Sequence, residues 1–564
     1  MPTITLSKKT IEKLVGRKMP VDQLKERISM LGTDLEKIEG DEIIVEVFPN
    51  RPDMLSDQSF ARALSSFTGA STGLKEYKAK KPEKDYEVKI TPETRNIRPF
   101  TACAIIKNLV FNQERIRQVI QIQEKLHAGM GRNRKKLAIG IYPLEHIKLP
   151  ITYTAKKPQE IRFTPLESMK EMNGLQILKQ HPAGREYGYL LRNKSLFPVF
   201  MDANQEVLSM PPIINSDKTG RVSEDTREVF VECSGFDFKV LSKCLNILVT
   251  TLADIGGEIY EMTLDYEKQK NKTTPELEPE EHTLDLEYVN KLLGLSLTEK
   301  QAQQLLKKMG YGCEGRRVLV PAYRTDILHQ ADLAEDIAIA YGYENFKPAI
   351  PDVSTIGSED RFEVFKNRIA GILTGFGLLE TTNYHLTSKQ EHNNKMLFKA
   401  GMVELENALN KDYSALRTWV IPSLMKVLSE NTNREYPQNI FEIGEVFKHC
   451  KKGHNTGHNT GPYTGIEENS RAGVVLCSAQ ADFTRIKQVF NTLMKALNTN
   501  YACEPAEHPS FIKGRVARMS VNAKRVAYIG EIHPQVLENF GIEMPVACFE
   551  LNLTEFYNLM NKKL

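Results

Sequence analysis

Apolar positions recur at helical spacing in some parts of the chain and form short runs in others. In the middle of the chain, PFTACAIIKNLVF and KLAIGIYPL are typical of strands, and an apolar stripe between them predicts a helix capped by Asn112. A second helix is predicted from Phe238 to Asp254, because Gly256 and Gly257 end the pattern. These elements predict an α/β domain in this region.

The last third of the chain shows a different pattern. RFEVFKNRIAGILTGFGLLETTNYHL carries apolar residues at helical spacing. ENALNKDYSALRTWVIPSLM, QNIFEIGEVF and RVAYIGEIHP contain short or alternating apolar runs, which are typical of strands. We therefore expect a large α+β domain here, with antiparallel strands.

Two segments of the chain match each other in the spacing of their apolar and glycine positions, which indicates an internal repeat. The aligned pairs include Ile11 with Val289, Gly32 with Gly310, Arg51 with Arg324 and Asp53 with Asp326. Each copy predicts two short helices, a strand, an Arg-x-Asp turn and a final helix, an order typical of a winged-helix-like module. We expect the shared aspartate to cap the final helix. Such modules bind nucleic acid or serve as packing adaptors, and the fold alone does not decide between them.

The final helix of the second copy carries acidic residues that the first copy lacks. Asp332, Glu335 and Asp336 lie at positions i, i+3 and i+4, so they are expected side by side on one helix face. A hard divalent cation would offset the repulsion between these carboxylates. A solvated acidic face, or a salt-bridge surface for a basic partner, is the alternative, and the spacing alone favours that alternative.

Polar residues next to an apolar wall predict a concave site in the middle region. In VLSMPPIINSDKTG, Asn215 and Ser216 follow a Pro-Pro turn and two isoleucines, and in VFVECSG the alternating Glu232 and Ser234 share one face of a strand. An Asx turn beside an edge strand explains the same residues equally well.

A basic loop, GMGRNRKK, follows the first predicted helix of this region. Arg132, Arg134, Lys135 and Lys136 could hold a nucleic-acid backbone, although a solvated loop is an equally good interpretation.

Composition places few limits on function. Charged residues make up 26% of the chain, hydrophobic residues 41%, and the net charge is +3, which is ordinary for a globular protein. The eight cysteines form no CxxC pair, so zinc and redox motifs have no support. Without a signal-like or membrane-spanning apolar run, the expected location is the cytoplasm, with no membrane partner. Polar stretches from Gly73 and up to Thr283 predict linkers, and the Gly/Asn/Thr stretch from Gly453 predicts a solvated loop.

Five motifs, in order along nearly the whole chain, resemble the β subunits of phenylalanyl-tRNA synthetase in their short archaeal and eukaryotic-type form. They are VFPNRPDMLS, LSMPPIINS, YRTDILHQADLAEDIAIAYGYENF, ENALNKDYSALRTWVIPSLM and FEIGEVF. The resemblance implies a multidomain α+β chain. Its implied parts are a B1-like module at 1–90, an α/β editing domain called B3/B4 at 91–270, a B5 domain at 271–350, and a catalytically inactive class II synthetase-like domain at 351–564.

The resemblance also implies partners and cofactors. The family works as an α2β2 heterotetramer that uses ATP to join phenylalanine to tRNA-Phe, with the adenylate-forming site in the α subunit. It implies Mg2+ ligands, in a site shared with α, at Asp326, Asp332, Glu335 and Asp336. The rival hypothesis is a non-enzymatic scaffold or nucleic-acid-binding protein built on the winged-helix-like repeats.

Editing, the hydrolysis of mischarged Tyr-tRNA-Phe, is the further activity that the resemblance implies. The candidates for lining its site are Asn215, Ser216, Glu232 and Ser234, and the absence of a Ser-His-Asp set favours hydrolysis by a positioned water.

The last domain lacks the arginines that hold ATP in class II synthetases. FEIGEVF does not have the Phe-Arg-x-Glu form, and ACFELNLTEF has no Glu-Arg pair. Arg417 is the nearest candidate, and we interpret it as a strand-end or interface residue. Since the oligonucleotide-binding and anticodon-binding domains of the longer bacterial form do not fit in this chain, tRNA contacts are expected from α and from patches such as the basic loop.

Overall fold

The computed structural model describes residues 2–83, 85–267, 271–350, 356–450 and 465–561, and the chain divides into two compact units, residues 1–350 and 351–564. The Gly/Asn/Thr stretch from Gly453 lies, up to residue 464, outside the described residues, so the loop expected there stays a prediction. Within the described ranges, no helix is both long and apolar enough to cross a membrane.

Both copies of the repeat belong to the first unit and fold with the same order of elements. The first copy has strands Thr3–Ser7, Asp34–Glu39 and Glu42–Glu46 and helices Lys8–Val15, Val21–Met30 and Asp57–Phe67. The second has strands Glu280–Thr283, Gly312–Glu314 and Arg317–Val320 and helices Leu286–Leu293, Glu299–Lys308 and Gln330–Tyr341. In each copy the last strand lies at the centre of a three-stranded antiparallel sheet. The two outer strands of each sheet escaped prediction because they are short and mostly polar.

The caps of the final helices correct one expectation. Ser56 and Ser59 form a capping box before the first of these helices, and His329 and Asp332 form one before the second. The Arg-x-Asp aspartates therefore do not cap these helices. Each instead accepts two hydrogen bonds from the arginine of its own motif, which keeps both of its oxygens away from the helix end.

The stretch from Gly73, predicted as a linker, packs along the first unit. Gly73 N donates to Lys307 O (2.7 Å), and the Tyr77 hydroxyl donates to Asp254 (2.7 Å). This segment therefore ties the first copy, the second copy and the middle region together. The second predicted linker contains the strand Lys272–Thr274, while residues 268–270 lie outside the described residues.

The middle region contains two packed sheets and two long helices. The four-stranded antiparallel sheet has the order Glu258–Tyr260, Phe100–Lys107, Val229–Gly235 and Leu137–Pro143. The seven-stranded mixed sheet has the order Ile214–Asn215, Val207–Met210, Phe197–Met201, Ile151–Lys156, Glu87–Ile90, Met262–Tyr266 and Lys272–Thr274. The helix Gln113–Ala128 has the predicted cap, with the Asn112 side chain accepting from Arg115 N, and the helix Phe238–Asp254 has the predicted bounds. Shorter helices span Gly174–Gln180, Pro182–Tyr187 and Asp217–Gly220, and Arg162–Phe163 pairs with Met172–Asn173.

Successive side chains along the strands of the four-stranded sheet point to opposite faces of the sheet, and each face contributes to a different hydrophobic core. Ala104, Val231 and Ile139 face the helices, whereas Ile105 and Phe230 face the other sheet. Glu232 lies two residues after Phe230 on the same strand, so its carboxyl group is also on the face between the two sheets.

The second unit is built on one large sheet, as predicted for an α+β domain with antiparallel strands. The sheet order is Leu379–Glu380, Gln438–His449, Ile466–Cys477, Val546–Asn552, Lys524–Ile532, Phe511–Val521 and Ala502–Pro505, with only the first pair parallel. Helices Arg361–Gly375, Phe483–Ala496 and Leu553–Asn561 belong to one core, and Ile421–Glu430 and Pro534–Phe540 to another. A small sheet joins Leu386–Thr387, Ala415–Leu416 and Val403–Glu404. The strand prediction for ENALNKDYSALRTWVIPSLM was wrong beyond Ala415–Leu416, because its last residues begin the helix Ile421–Glu430, which buries its apolar side chains at helical spacing.

Candidate functional site

A cavity of about 390 Å³ lies beside Leu137–Pro143, the edge strand of the four-stranded sheet. The helix Gln113–Ala128 and the segment that contains the Pro-Pro turn supply much of its wall. The apolar side chains in this wall include Ile116, Val119, Ile120, Ile139 and Ile213, and the polar ones include Gln123, Ser209, Asn215 and Glu232. An apolar cavity with a few convergent polar groups is suited to a small organic ligand or side chain.

Glu232 is the central polar group of this cavity. It is 1% exposed, and burial raises the pKa of its carboxyl group to about 8, although the nearby Arg98 guanidinium acts in the opposite direction. Its Oε2 atom is buried and has no hydrogen-bond partner among the described residues. At neutral pH, Glu232 is therefore mostly protonated and can donate or accept one hydrogen bond toward a ligand.

The Tyr142 hydroxyl connects Glu232 to the other polar groups of the cavity. It lies 2.8 Å from Ser209 Oγ, 3.3 Å from Glu232 Oε1 and 3.4 Å from Asn215 Oδ1. Its single proton can serve only one of these three acceptors. A neutral Glu232 can then donate its own proton in return, which makes this network compatible with a protonated carboxyl group.

Gly140 creates the space in which these groups meet. It lies directly opposite Glu232 in the strand register. A Cβ atom at this position would approach the Tyr142 hydroxyl to 2.1 Å and Glu232 Oε1 to 2.7 Å, which are closer than any real contact. A side chain at residue 140 would therefore displace the network.

Only two of the four predicted site residues line the cavity. Asn215 and Glu232 do so, whereas Ser216 and Ser234 are buried outside the lining. The Ser234 hydroxyl accepts from Arg98 Nε (3.3 Å), and Ser216 N donates to Leu208 O (2.8 Å). Ser234 shares the strand face of Glu232 but lies two residues farther along, beside the buried Arg98.

Sequence reasoning missed Tyr142 and Gly140. The signal was present in LAIGIYP, because residues 140 and 142 alternate on one face of a strand. The pattern predicts this strand but not its register against Val229–Gly235. It is the register that places both residues beside Glu232.

His127 also lines the cavity, but both of its ring nitrogens have protein partners. Nε2 accepts from Ile139 N (2.8 Å), and Nδ1 lies 3.3 Å from Glu124 Oε1. Burial lowers the pKa of the His127 imidazole. Since a backbone N–H occupies Nε2, His127 cannot activate the Ser209 hydroxyl as the base of a catalytic triad would.

The basic loop divides into one inward arginine and three outward side chains. Arg134 donates to Ile213 O (2.9 Å) and Glu124 Oε1 (3.0 Å), and its guanidinium lies 4.3 Å from the centre of the Tyr187 ring. Arg134 thus fixes the Pro-Pro segment at the wall of the cavity. Arg132, Lys135 and Lys136 are exposed.

Arg324 lies at the centre of the acidic cluster in the second copy. It donates to Asp326 Oδ1 and Oδ2 (2.8 and 2.7 Å) and to Asp336 Oδ2 (2.8 Å), which also accepts from the Tyr311 hydroxyl. Burial acts to raise the pKa of Asp326, but the Arg324 guanidinium outweighs it, so the net shift is downward. Asp326 and Asp336 therefore share one cationic partner inside the protein.

The other two carboxylates point elsewhere. Asp332 Oδ2 accepts from Leu328 N and His329 N, both at 2.7 Å, so it belongs to the helix cap. Glu335 is exposed, and in the described part of the chain its carboxylate has no hydrogen bond or ion pair. Partial burial, and then the negative charges of Asp336, Asp326 and Asp332, raise the pKa of Glu335. Asp332, Glu335 and Asp336 thus lie on one helix at the expected spacing, but their carboxylates have different partners.

The cluster suits a divalent cation in charge but not as a complete ligand set. Its four carboxylates outnumber the two arginines that act on Asp326, Arg324 and Arg51, so the local charge is negative. Nowhere in the described ranges, however, do three or more His, Cys, Asp or Glu side chains lie together as metal ligands would. A cation here would need ligands from outside this chain, and Glu335 is the donor left free to meet it.

Comparison with known proteins first defines the class: the chain carries domains of an aminoacyl-tRNA synthetase subunit. Residues 282–343 match the family model for the tRNA synthetase B5 domain, and residues 347–553 match that for the phenylalanyl tRNA synthetase beta chain CLM domain. The matches leave the rival hypothesis of a non-enzymatic scaffold without support.

Similarity over the full length then defines the family. The chain is 38% identical to the phenylalanine–tRNA ligase beta subunit of Pyrococcus abyssi, over 99% of this chain and 100% of that protein. It is 37% identical to that of Thermococcus sibiricus, over 99% of both chains. A crystal structure of an N-terminal fragment of the Pyrococcus horikoshii beta subunit superposes with a TM-score of 0.58 at 36% identity, covering 60% of this chain and 99% of the fragment. The chain belongs to the phenylalanine–tRNA ligase beta-subunit family, as the sequence motifs indicated.

Proposed function

We propose that this chain acts as the non-aminoacylating subunit of an α2β2 phenylalanine–tRNA ligase and that its middle region, residues 91–270, hydrolyses Tyr-tRNA-Phe. The ligase reaction of the family consumes ATP and requires an α partner and tRNA-Phe. The observation that carries the editing proposal is Glu232, a buried carboxyl group with an unpartnered oxygen at the wall of an apolar cavity.

Discrimination between phenylalanine and tyrosine explains why a second site is useful. A pocket built for a phenyl ring cannot strongly reject a ring that adds one hydroxyl group. A separate cavity that hydrogen-bonds the hydroxyl can select tyrosine, because a phenyl ring would leave its polar groups unpaired.

Glu232 has the chemistry for this selection. Its neutral carboxyl group can exchange one hydrogen bond with a phenol, while Tyr142 and Asn215 keep it oriented. The isoleucines of the wall would enclose the ring. With no free histidine beside Ser209, hydrolysis of the ester would proceed through a positioned water rather than a covalent intermediate.

The test of the editing proposal is deacylation of Tyr-tRNA-Phe by the assembled complex. We expect Glu232→Ala to slow this hydrolysis by about 10- to 100-fold, because the variant loses one hydrogen bond between a buried group and the substrate. Charging with phenylalanine should not change, because the α subunit performs it. Glu160→Ala, which removes an exposed carboxylate of the same region, is the matched control. Undiminished deacylation by the Glu232 variant would refute the assignment.

Two further assignments complete the proposal. The exposed Arg132, Lys135 and Lys136 would contact the phosphate backbone of tRNA-Phe, with Arg134 supporting the loop from within. Asp326, Asp332, Glu335 and Asp336 would form the β side of a Mg2+ site shared with α, in which Glu335 faces the ion. When bound, the ion would supply positive charge that holds the subunits together.

The second unit would have a structural role in charging. Arg417 follows the short strand Ala415–Leu416 and is fully buried, and its Nη1 donates to Glu442 Oε1 (2.7 Å). An arginine held in this way cannot reach a nucleotide, which supports the interpretation of residues 351–564 as a class II synthetase-like domain without aminoacylation chemistry.

A further inference from the structure

A small cavity of about 60 Å³ lies on the large sheet of the second unit, where the segment that leads into helix Ile421–Glu430 covers four strands. Three arginines and one glutamate are the charged residues in its wall. The charged and aromatic side chains in this wall include Trp419, Arg471, Arg518, Arg525, Tyr528 and Glu550. The wall therefore carries an excess of positive charge.

Glu550 already has its hydrogen-bond donors. Its Oε2 accepts from Val420 N (2.7 Å) and Ile421 N (3.1 Å), and its Oε1 accepts from Arg471 Nη1 (2.9 Å). Glu550 thus neutralises one arginine and fixes the covering segment. It supplies no acceptor to the rest of the wall.

Arg518 has no carboxylate partner among the described residues. Its guanidinium lies 3.8 Å from the centre of the Tyr528 ring, and its Nε is buried without a hydrogen-bond acceptor. Burial lowers the pKa of Arg518, and the positive charges of Arg471 and Arg525 act in the same direction. The nearby His508 adds no charge at neutral pH, because burial and the Arg518 guanidinium lower its pKa to about 4.

Two more donors in the wall also lack acceptors within the described ranges. They are Arg471 Nε and the indole Nε1 of Trp419, a residue that is only 9% exposed. A buried N–H group without an acceptor costs about 1–3 kcal/mol. Three such groups belong to residues that line one small cavity, and an acceptor from outside the chain would satisfy them.

We propose that this cavity binds a small oxyanion of the phosphate class. Water could accept from the same donors, but water does not offset the excess positive charge, whereas an oxyanion satisfies both requirements. A cavity of about 60 Å³ has room for a phosphate group. The ligand is inorganic phosphate or the terminal phosphate group of a larger molecule, and the Tyr528 ring holds Arg518 in place to receive it.

The single tryptophan of the chain provides the measurement. In the full-length protein purified with its partner subunit, the emission of the wild-type complex minus that of a Trp419→Phe complex isolates the Trp419 signal. We expect phosphate to change this signal saturably, and equal ionic strength of chloride not to do so. Arg518→Gln should weaken phosphate binding at least tenfold, which corresponds to about 1.4 kcal/mol.

Two variants complete the design. Arg525→Gln changes an exposed side chain, so it should fold normally and weaken phosphate binding several-fold. Arg361→Gln removes an exposed arginine that does not line the cavity and should leave binding unchanged. A response to inorganic phosphate alone assigns the site to the free ion, and an added response to adenosine monophosphate extends it to phosphate esters. No phosphate response, or equal binding by wild type and both cavity variants, would overturn the proposal.

Discussion

At the scale of single residues, Glu232 illustrates how a strand can hold a carboxyl group neutral at physiological pH. Its neighbours on the same strand, Val231 and Cys233, are fully buried, and Glu232 itself is only 1% exposed. The Arg98 guanidinium only partly compensates for this burial. In the proposed editing reaction, selection of a phenol would depend on one protonation state of this side chain.

The raised pKa of Glu232 predicts how stability depends on pH. Between the ordinary pKa of 4.5 and the folded value of about 8, the unfolded chain ionises Glu232 while the folded chain keeps it protonated. Stability therefore falls across this window, by at most about 1.4 kcal/mol per pH unit. We expect Glu232→Gln to match wild type below pH 4.5 and to become progressively more stable than wild type toward pH 8.

Thermal unfolding of the two complexes at a series of pH values measures this difference. The Glu160→Gln complex, altered at an exposed carboxylate, should follow wild type throughout. A constant difference between the Glu232→Gln variant and wild type from pH 5 to 8 would mean that Glu232 is ionised in the folded protein.

The sequence could identify Glu232 and Asn215 but not their partners. Alternation along VFVECSG places Glu232 and Ser234 on one face, yet only the packing of Arg98 against Ser234 separates their roles. Likewise, four basic residues in one loop look equivalent in the sequence. Arg134 differs only because its side chain reaches Ile213 O across the fold.

At the scale of elements, the repeated Arg-x-Asp turn is a buried ion pair in both copies. Arg51 donates to both oxygens of Asp53 at 2.9 Å, as Arg324 does to Asp326. The sequence showed that the motif is repeated, and local spacing suggested a helix cap. The prediction of a cap was wrong because the side chains of Ser56 and His329 already accept from the first backbone N–H groups of the two final helices.

We predict that loss of the two ion pairs lowers the free energy of unfolding by different amounts. Arg51 and Asp53 are 6% and 1% exposed, and Asp53→Asn would leave Arg51 buried without the carboxylate of its own motif. Loss of one partner of a buried pair costs about 3–5 kcal/mol. Asp326→Asn should cost clearly less, because Arg324 keeps Asp336. Denaturant unfolding of the two variants compares these costs.

Asp22→Asn is the control for this comparison, since the Asp22 carboxylate is almost fully exposed and should contribute little to stability. If Asp326→Asn proved as destabilising as Asp53→Asn, Asp336 would not be an adequate second partner for Arg324.

At the scale of the whole molecule, the periodicity of apolar residues predicted most of the helices and long strands. It did not predict which surfaces contact one another. The helix Phe238–Asp254 has the predicted bounds because caps and glycines are local signals. The three-stranded sheets of the repeats depend on short polar strands that pair across the copy, so no local pattern marks them. The contacts of the carboxylates in the second copy are harder to predict, because they depend on how Arg324 and the backbone before the helix are placed in the fold.

The last prediction concerns assembly and follows from the proposed Mg2+ site shared with α. Because the Glu335 carboxylate is exposed and has no hydrogen bond or ion pair within the described residues, it is free to contact a Mg2+ ion held between the subunits. We expect Glu335→Gln to lose most of the Mg2+-dependent gain in α–β affinity, about five- to tenfold in Kd. In EDTA the variant should associate as well as wild type or better. Sedimentation with Mg2+ and with EDTA measures both affinities, with Glu287→Gln as an exposed control on another helix of the same copy. Equal Mg2+ responses of Glu335→Gln and wild type would leave the cluster as a solvated acidic face.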